Sequence, residues 1–251
     1  MKLGITQLGA VDAWECDQMQ HMNVRFYGTR FTDAEAHAFA QLGELVRPAM
    51  DDELRFTREI RTGAAVRVES TQLSSHLLQH SLFDGPCDAP SATLTACYEP
   101  NHAELPGFEG NGWTACGRGV VKPSSCDTHG LSREGVLSLV NQAGIHLGLD
   151  RHRQREADGG LRTGSATVAC RIRRHAAALS GTLVNVQSRF GLAGRTSIRL
   201  QHRIVDTLAD QTIAQVEVSV VFFDMRTRRA IPLPPTLLST DTPTIPRGEQ
   251  R

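Results

Sequence analysis

The chain contains the same pattern twice, and this repeat limits the folds that are open to it. The copies share a Leu-Gln-His-x-x-x-Asp motif, found at Leu78–Asp84 and at Leu200–Asp206. They also share a Cys-Asp pair, found at Cys16–Asp17 and at Cys126–Asp127, and each pair precedes a stretch of apolar residues with helical spacing. A repeat of this kind predicts two structural units of similar fold that pack together.

The length of the chain fits this division. Its 251 residues allow two compact units of roughly 105 and 125 residues, each of ordinary domain size. We expect a first unit at residues 1–105, a glycine-rich linker at 106–116 and a second unit at 117–235. The proline- and threonine-rich end, residues 236–251, predicts an extended or disordered tail.

Composition excludes several classes of protein. Lys plus Arg and Asp plus Glu both number 27, and a net charge of zero weighs against a protein that coats nucleic acid or an anionic membrane. No run approaches the roughly 18 apolar residues that span a bilayer. The six cysteines are scattered without Cys-x-x-Cys spacing, which predicts reduced thiols in a cytoplasmic protein without a structural metal.

Each unit has the pattern of a strand, a loop, a helix and then four strands. In the first helix the apolar side chains recur at intervals of one, three or four residues from Phe26 to Leu42, and Gly43 is a natural stop. In the second helix the pattern runs from Val136 to Leu147 and stops near Gly148. Short connections between the later strands predict a largely antiparallel sheet that curls around each helix. Two such units can pair edge to edge into one continuous sheet, so the expected class is α+β.

The loop before the first helix carries the residues with chemical potential. The segment from Trp14 to Tyr27 resembles the signature of hotdog-fold acyl-CoA thioesterases of the 4-hydroxybenzoyl-CoA thioesterase type. In that family an Asp-x-x-Gly-His-x-Asn loop precedes the central helix, with an aromatic residue four positions after the Asn. The matching residues here are Asp17, His21, Asn23 and Tyr27. Gln20 stands where glycine is usual, so we expect strain from a positive φ at this position.

The resemblance implies a tandem double-hotdog chain that hydrolyses an acyl thioester. It implies that the backbone N–H of Val24, or of a neighbour, holds the developing oxyanion. Asn23 would fix the loop or hold a water molecule, His21 would support the turn by hydrogen bonds, and Tyr27 would belong to the core. The substrate would be a thioester of coenzyme A or of a carrier protein, bound between the units, with no other cofactor.

The physical chemistry of the loop agrees with this implication. A helix N-terminus offers unpaired N–H groups and the positive end of the helix dipole, which suit an oxyanion. An aspartate is ionised at neutral pH, so Asp17 can attack the thioester or take a proton from water. The residues leave open whether Asp17 is a nucleophile or a general base.

The second copy lacks part of this loop. Asp127 is retained, but Ser132 replaces Asn23 and Arg133 replaces Val24. We expect a degenerate second site, although Asp127 could instead contribute to the first site from across the unit boundary.

Other titratable residues have more ordinary interpretations. Asp33 and Glu35 on the first helix could serve as the acid, as helix acids do in a sister branch of the family, but we expect them on a solvated face. His80 and His202 occupy equivalent positions in both copies, which favours a role in packing.

Three functions are compatible with the pattern. A thioesterase is the leading hypothesis, an acyl-CoA-binding double-hotdog protein without catalysis is the alternative, and a hydratase lacks a convincing Asp/Glu-His pair. The sequence does not specify the acyl group, and it leaves open whether the two-unit chain forms a homo-oligomer.

Overall fold

The computed structural model describes residues 1–100, 103–147 and 163–233, so the predicted tail at 236–251 and Gly148 lie outside the described residues. There are two α-helices, α1 (Val24–Leu42) and α2 (Arg133–His146), and short 3₁₀ turns at Ala13–Glu15 and Pro123–Ser125. The strands of the first half are β1 (Lys2–Ala10), β2 (Asp51–Phe56), β3 (Ala65–Ser74), β4 (Leu77–Asp84) and β5 (Ala92–Cys97). Those of the second half are β6 (Thr114–Val120), β7 (Cys126–Asp127), β8 (Gly130–Leu131), β9 (Thr163–Arg174), β10 (Leu183–Ala193), β11 (Ser197–Asp206) and β12 (Gln211–Asp224).

Ten strands form one sheet in the order β1-β3-β4-β5-β2-β9-β12-β11-β10-β6. All of the pairings are antiparallel, and the order is the same when it is read from either edge towards the centre. The two units meet where β2 pairs with β9, with Asp51 opposite Arg173 and Leu54 opposite Cys170. The prediction of two α+β hotdog units that share a continuous antiparallel sheet is therefore confirmed.

The two helices pack against each other as well as against the sheet. Gly28 on α1 allows this approach, because a Cβ there would lie 3.1 Å from Leu137 Cδ1 and 3.2 Å from Glu134 N. Thr29 on α1 donates a hydrogen bond to the Glu134 carboxylate across the contact, at 2.8 Å. The helices thus close one hydrophobic core that belongs to both units.

Helix limits follow the local sequence closely. Asn23 is the N-cap of α1 and accepts a hydrogen bond from Arg25 N at 3.2 Å. Ser132 caps α2 in the same way, through Gly135 N at 3.1 Å. Gly43 ends α1 with φ of 69°, in the left-handed region that glycine adopts without strain.

Two segments differ from the sequence-based expectations. The β-prone residues at 54–60 predict a strand there, but the strand that forms, β2, covers Asp51–Phe56. The last three residues of the linker expected at 106–116 belong to β6, which begins at Thr114. Leu105 and Phe108, beside and within the expected linker, are buried, since this segment packs on the second unit. The proposed domain limits otherwise stay a prediction.

All six cysteines are free thiols. Within the described ranges no helix is both long enough and apolar enough to cross a membrane.

Candidate functional site

A cavity of about 650 Å³ lies between the two units. The first unit contributes the loop from Asp17 to Val24, Tyr27 on α1 and the end of β2 with the residues after it. The second unit contributes α2 and the strands β9, β11 and β12. Apolar side chains dominate the part formed by the second unit: Leu137, Val140, Ile145, Val168, Leu200, Val218 and Val220. Neither unit alone would enclose this cavity.

The loop at the cavity is a closed turn held by Asp17. The carboxylate Oδ1 accepts hydrogen bonds from Met19 N at 2.8 Å and from His21 N at 3.1 Å. The Asp17 backbone N–H donates to His21 O at 2.8 Å, and Gln20 N–H donates to Asp17 O at 3.0 Å. Gln20 has φ of 62°, so the positive φ expected from the sequence is present.

The start of α1 presents an unpaired backbone donor to the cavity. Asn23 satisfies the N–H groups of Arg25 and Phe26, through its side chain at 3.2 Å and its carbonyl at 2.9 Å. Within the part of the chain that the structure describes, the Val24 N–H has no hydrogen-bond partner. Val24 lines the cavity together with Asn23, so this first helical amide is available to a ligand oxygen.

His21 lies beside two charged groups at the same cavity. Its Nδ1 is 3.5 Å from Glu59 Oε2, and Glu59 also pairs with Arg228. The guanidinium of Arg228 stacks over the ring of Phe223 at 4.6 Å. His21 is therefore held on both sides, by its backbone to Asp17 and by its ring to Glu59, which fits a supporting role in the turn.

Asp17, His21, Asn23 and Val24 thus line a single cavity, although one detail differs from the expected arrangement. Asp17 is exposed, and its recorded hydrogen bonds come from amides of its own loop rather than from the first turn of α1. Tyr27 is buried at 3% exposure and packs against Phe56, as a core residue does.

A buried imidazole of the second unit also lines the cavity, and no sequence pattern indicated it. His202 lines the cavity from β11, and its Nδ1 is 2.8 Å from Ser188 Oγ. Its Nε2 is buried and has no hydrogen-bond partner among the described residues. Burial lowers the pKa of His202 to about 3, so the ring is neutral. In the first unit, His80 Nδ1 is likewise 2.6 Å from Ser70 Oγ, but His80 does not line this cavity.

The second loop faces a separate cavity of about 470 Å³. This cavity is lined by Asp127 and His129 of the loop, by Glu35 of α1 and by Arg133. Asp127 Oδ1 accepts a hydrogen bond from His129 N at 2.7 Å, and Gly130, three residues after Asp127, has φ of 114°. Each cavity therefore combines the loop of one unit with the helix of the other.

A buried ionic network occupies the start of α2. The guanidinium of Arg133 contacts Asp52 Oδ1 at 2.9 Å and Glu35 Oε2 at 2.9 Å, and all three side chains are at most 8% exposed. Arg174 pairs with Asp52 at 2.8 Å, and Tyr98 donates to Glu35. Burial opposes ionisation of Asp52, but Arg133 and Arg174 outweigh it and lower its pKa to about 2.

This network corrects the expectation for the helix acids. Asp33 is exposed as expected, but Glu35 is buried at 6% exposure and is neutralised by Arg133. The residue twelve positions after the N-cap is Glu35 in α1 and Gly144 in α2. Because Gly144 stands at this place in the cavity of about 650 Å³, α2 supplies no carboxylate to that cavity. The sequence signal for this network is the arginine at the first position of α2. A charged residue directly before an apolar helical stripe needs buried partners of opposite charge.

Sequence comparison finds a match to a known superfamily in the second unit. The model of the thioesterase-like superfamily matches residues 129–240, a range that begins after Asp127 and excludes the first loop. None of the curated proteins matches the sequence at a significant level.

Solved structures with the same overall fold match almost the whole chain. A protein assigned as an oleoyl thioesterase from Lactobacillus plantarum has a TM-score of 0.64 at 12% identity, covering 90% of this chain and 96% of that one. The 12:0-ACP thioesterase from Umbellularia californica has a TM-score of 0.58 at 8% identity, covering 86% and 93%. These likenesses show the tandem fold. The superfamily match covers less than half of the chain. The chain therefore has a tandem hotdog fold, and its second unit is similar to the thioesterase-like superfamily.

Proposed function

We propose that the first loop is the active site of an acyl thioester hydrolase. The observation that carries this proposal is the cavity between the units, which brings Asp17, an unpaired helix N-terminal amide and an apolar chamber together. A thioester carbonyl beside Val24 would direct its oxygen to the free N–H, where charge develops during acyl transfer. The superfamily match supports the same class of reaction.

Asp17 is the proposed catalytic carboxylate. It either takes a proton from the attacking water or attacks the carbonyl carbon to give an anhydride that water then opens. In both routes the carbonyl carbon gains a bond to oxygen, its bond to sulfur breaks, and the thiol leaves with a proton. Asn23 caps the helix so that the Val24 amide stays free, and His21 holds the turn against Glu59.

The carrier of the acyl group is coenzyme A or an acyl carrier protein. Arg58 and Arg228 line the same cavity as the loop, which suits a phosphate-bearing pantetheine arm. The Umbellularia relative acts on acyl-ACP, so both carriers belong in the test.

We expect Asp17→Asn to lower kcat by at least about 100-fold, the scale for losing a positioned proton-transfer group. Asparagine keeps Oδ1 as the acceptor for Met19 N and His21 N, so the turn should survive the loss of charge. The assay is thiol release from a panel of acyl-CoA and acyl-ACP thioesters, with a urea unfolding curve for each variant.

Asp127→Asn is the matched control, since Asp127 holds the equivalent turn at the other cavity. It should leave kcat almost unchanged if the second site is degenerate. An equal loss in both variants would mean two working sites or a shared one. Unchanged turnover in a folded Asp17→Asn protein would remove Asp17 from catalysis.

Binding without hydrolysis is the alternative function. The exposed position of Asp17, and its hydrogen bonds to its own loop, favour this alternative. Tight binding of acyl-CoA with no release of thiol across the panel would establish it.

A further inference from the structure

Among the polar side chains that line the cavity and that the proposed reaction does not use, His202 is fully buried. His202 lies on β11, which is three strands along the sheet from β2, and the loop pairs with the segment that follows β2. Only Leu200 and His202 represent β11 in the cavity lining. Neighbouring strands are separated by about 4.8 Å, so three strand intervals separate β2 from β11 by roughly 14 Å. His202 is therefore at the far end of the chamber from the loop.

The hydrogen bonding of His202 leaves one position open. A neutral imidazole has one donor and one acceptor nitrogen, and Nδ1 is already engaged by Ser188 Oγ at 2.8 Å. Nε2 is buried without a partner among the described residues. A buried polar atom of this kind costs free energy unless something bonds to it. A hydroxyl can both donate and accept, so it fits Nε2 in either tautomer.

The surroundings of His202 are aliphatic. Its own strand presents Leu200, β12 presents Val218 and Val220, and α2 presents Leu137 and Val140. Asn141 also lines the cavity from α2, adding a second group that can donate and accept. A saturated chain suits these branched walls, and a polar group at its end would meet the imidazole.

We propose that His202 is a specificity-determining residue that hydrogen-bonds a hydroxyl near the distal end of an aliphatic acyl chain. The inference rests on the proposed function, because the loop fixes the position of the thioester. It makes ω-hydroxyacyl thioesters better substrates than unsubstituted chains of equal length. An unsubstituted chain would fill the same space and leave Nε2 unpaired.

The experiment compares 10-hydroxydecanoyl-CoA with decanoyl-CoA, and repeats the comparison with eight- and twelve-carbon pairs. In the unmodified protein we expect kcat/KM to favour the hydroxylated member of the best pair by at least about 10-fold, as for one buried hydrogen bond. In His202→Leu the ratio should fall to about 1, and His202→Gln should retain part of the preference. His80→Leu is the matched control, since the equivalent imidazole lies outside the cavity, and it should leave the ratio unchanged.

Three results would overturn the inference: a ratio of 1 or less for every pair, an unchanged ratio in folded His202→Leu, or an equal change in His80→Leu. If His202→Leu does not fold, the ratios in His202→Gln and in the unmodified protein decide the question. Equilibrium binding of decyl-CoA and 10-hydroxydecyl-CoA thioethers, which cannot be hydrolysed, gives the same ratio without catalysis. A protein that hydrolyses nothing but binds the hydroxylated thioether more tightly would refute the proposed function and retain the role of His202.

Discussion

Gln20 and Gly130 are each the third residue after the aspartate of their loop, and each has a positive φ that only glycine adopts without strain. Gln20 has φ of 62° and Gly130 has φ of 114°. A side chain in the left-handed region costs roughly 1–2 kcal/mol. The first loop tolerates this cost because Asp17 ties the turn together through both its backbone and its carboxylate. The strain lies three residues from the proposed catalytic carboxylate.

Relief of this strain should be measurable. We expect Gln20→Gly to raise the free energy of unfolding by up to about 1 kcal/mol, because part of the relief is offset by the entropy that glycine adds to the unfolded chain. Gly130→Ala should instead lower it by at least about 2 kcal/mol, since its Cβ would lie 2.8 Å from Ala178 O. Urea titrations measure both changes, and a loss of stability in Gln20→Gly would contradict the assigned strain.

The sequence predicted the residues of the loop better than their surroundings. Asp17, His21, Asn23 and Val24 line one cavity as a single loop should, because close neighbours in sequence stay close in space. His202 could not be placed there from sequence, since its position depends on which strand faces which helix across the unit boundary.

At the level of secondary structure, buried ion pairs connect the start of α2 to the first unit. Arg133 reaches Glu35 on α1 and Asp52 on β2, so one side chain joins three elements from both units. A buried pair of this kind adds little net stability compared with an apolar contact, but removal of one partner leaves a buried charge alone.

We expect Arg133→Met to lower the free energy of unfolding by about 3–5 kcal/mol, because Glu35 would lose its cation and Asp52 one of two. Arg55→Met on β2 is the control, since Arg55 pairs with Glu53 in solvent, and it should cost less than about 1 kcal/mol. Chemical denaturation of both variants tests the difference. An equal loss of unfolding free energy in the two variants would show that the buried network stabilises the fold no more than the exposed ion pair does.

Ion pairs between the two units explain why the predicted bounds of β2 were wrong. The apolar stripe of α1 and its glycine stop are local signals, and the helix limits followed from them. Strand β2 begins at Asp51 and Asp52, which look like turn residues in isolation. They belong to the strand because Arg173 and Arg174 of the other unit neutralise them. No local pattern contains that information.

Over the whole molecule, the two units share a pH-sensitive core. Burial lowers the pKa of His80 to about 4 and of His202 to about 3, against an ordinary value near 6.5. The unfolded chain therefore binds protons below pH 6.5 that the folded chain does not bind until pH 3–4. Stability is present at neutral pH and is lost as the pH falls through this window.

We expect the free energy of unfolding to fall by about 2 kcal/mol for each of these histidines between pH 7 and pH 5. The His80→Leu/His202→Leu double variant should have a correspondingly flatter profile. Asp52 does not contribute in this window, because its pKa changes between about 2 and 3.8. Urea unfolding at several pH values measures the slope, and equal slopes in both proteins would rule out a contribution from the histidines.

The repeat predicted the overall arrangement but not the packing of the linker. Two similar units with open edges led to one continuous sheet, which is the observed order. The segment between the units looked like a flexible connection because of its glycines. Instead the guanidinium groups of Arg189 and Arg203 lie over the Trp113 ring, at 4.2 and 4.3 Å from its centroid, and Phe108 is fully buried. These partners are more than 75 residues away in sequence.

The covalent joining of the units has a consequence for how such a protein can change. In an assembly of two identical subunits, a substitution alters both catalytic centres at once, so neither can be sacrificed. Here Val24 and Arg133 stand at the same place in the two halves, one leaving an amide open and the other inserting a cation into the core. In a single gene, one of the two sites can therefore stay unchanged while the residues of the other become part of the core. Either site can also be modified independently by mutagenesis.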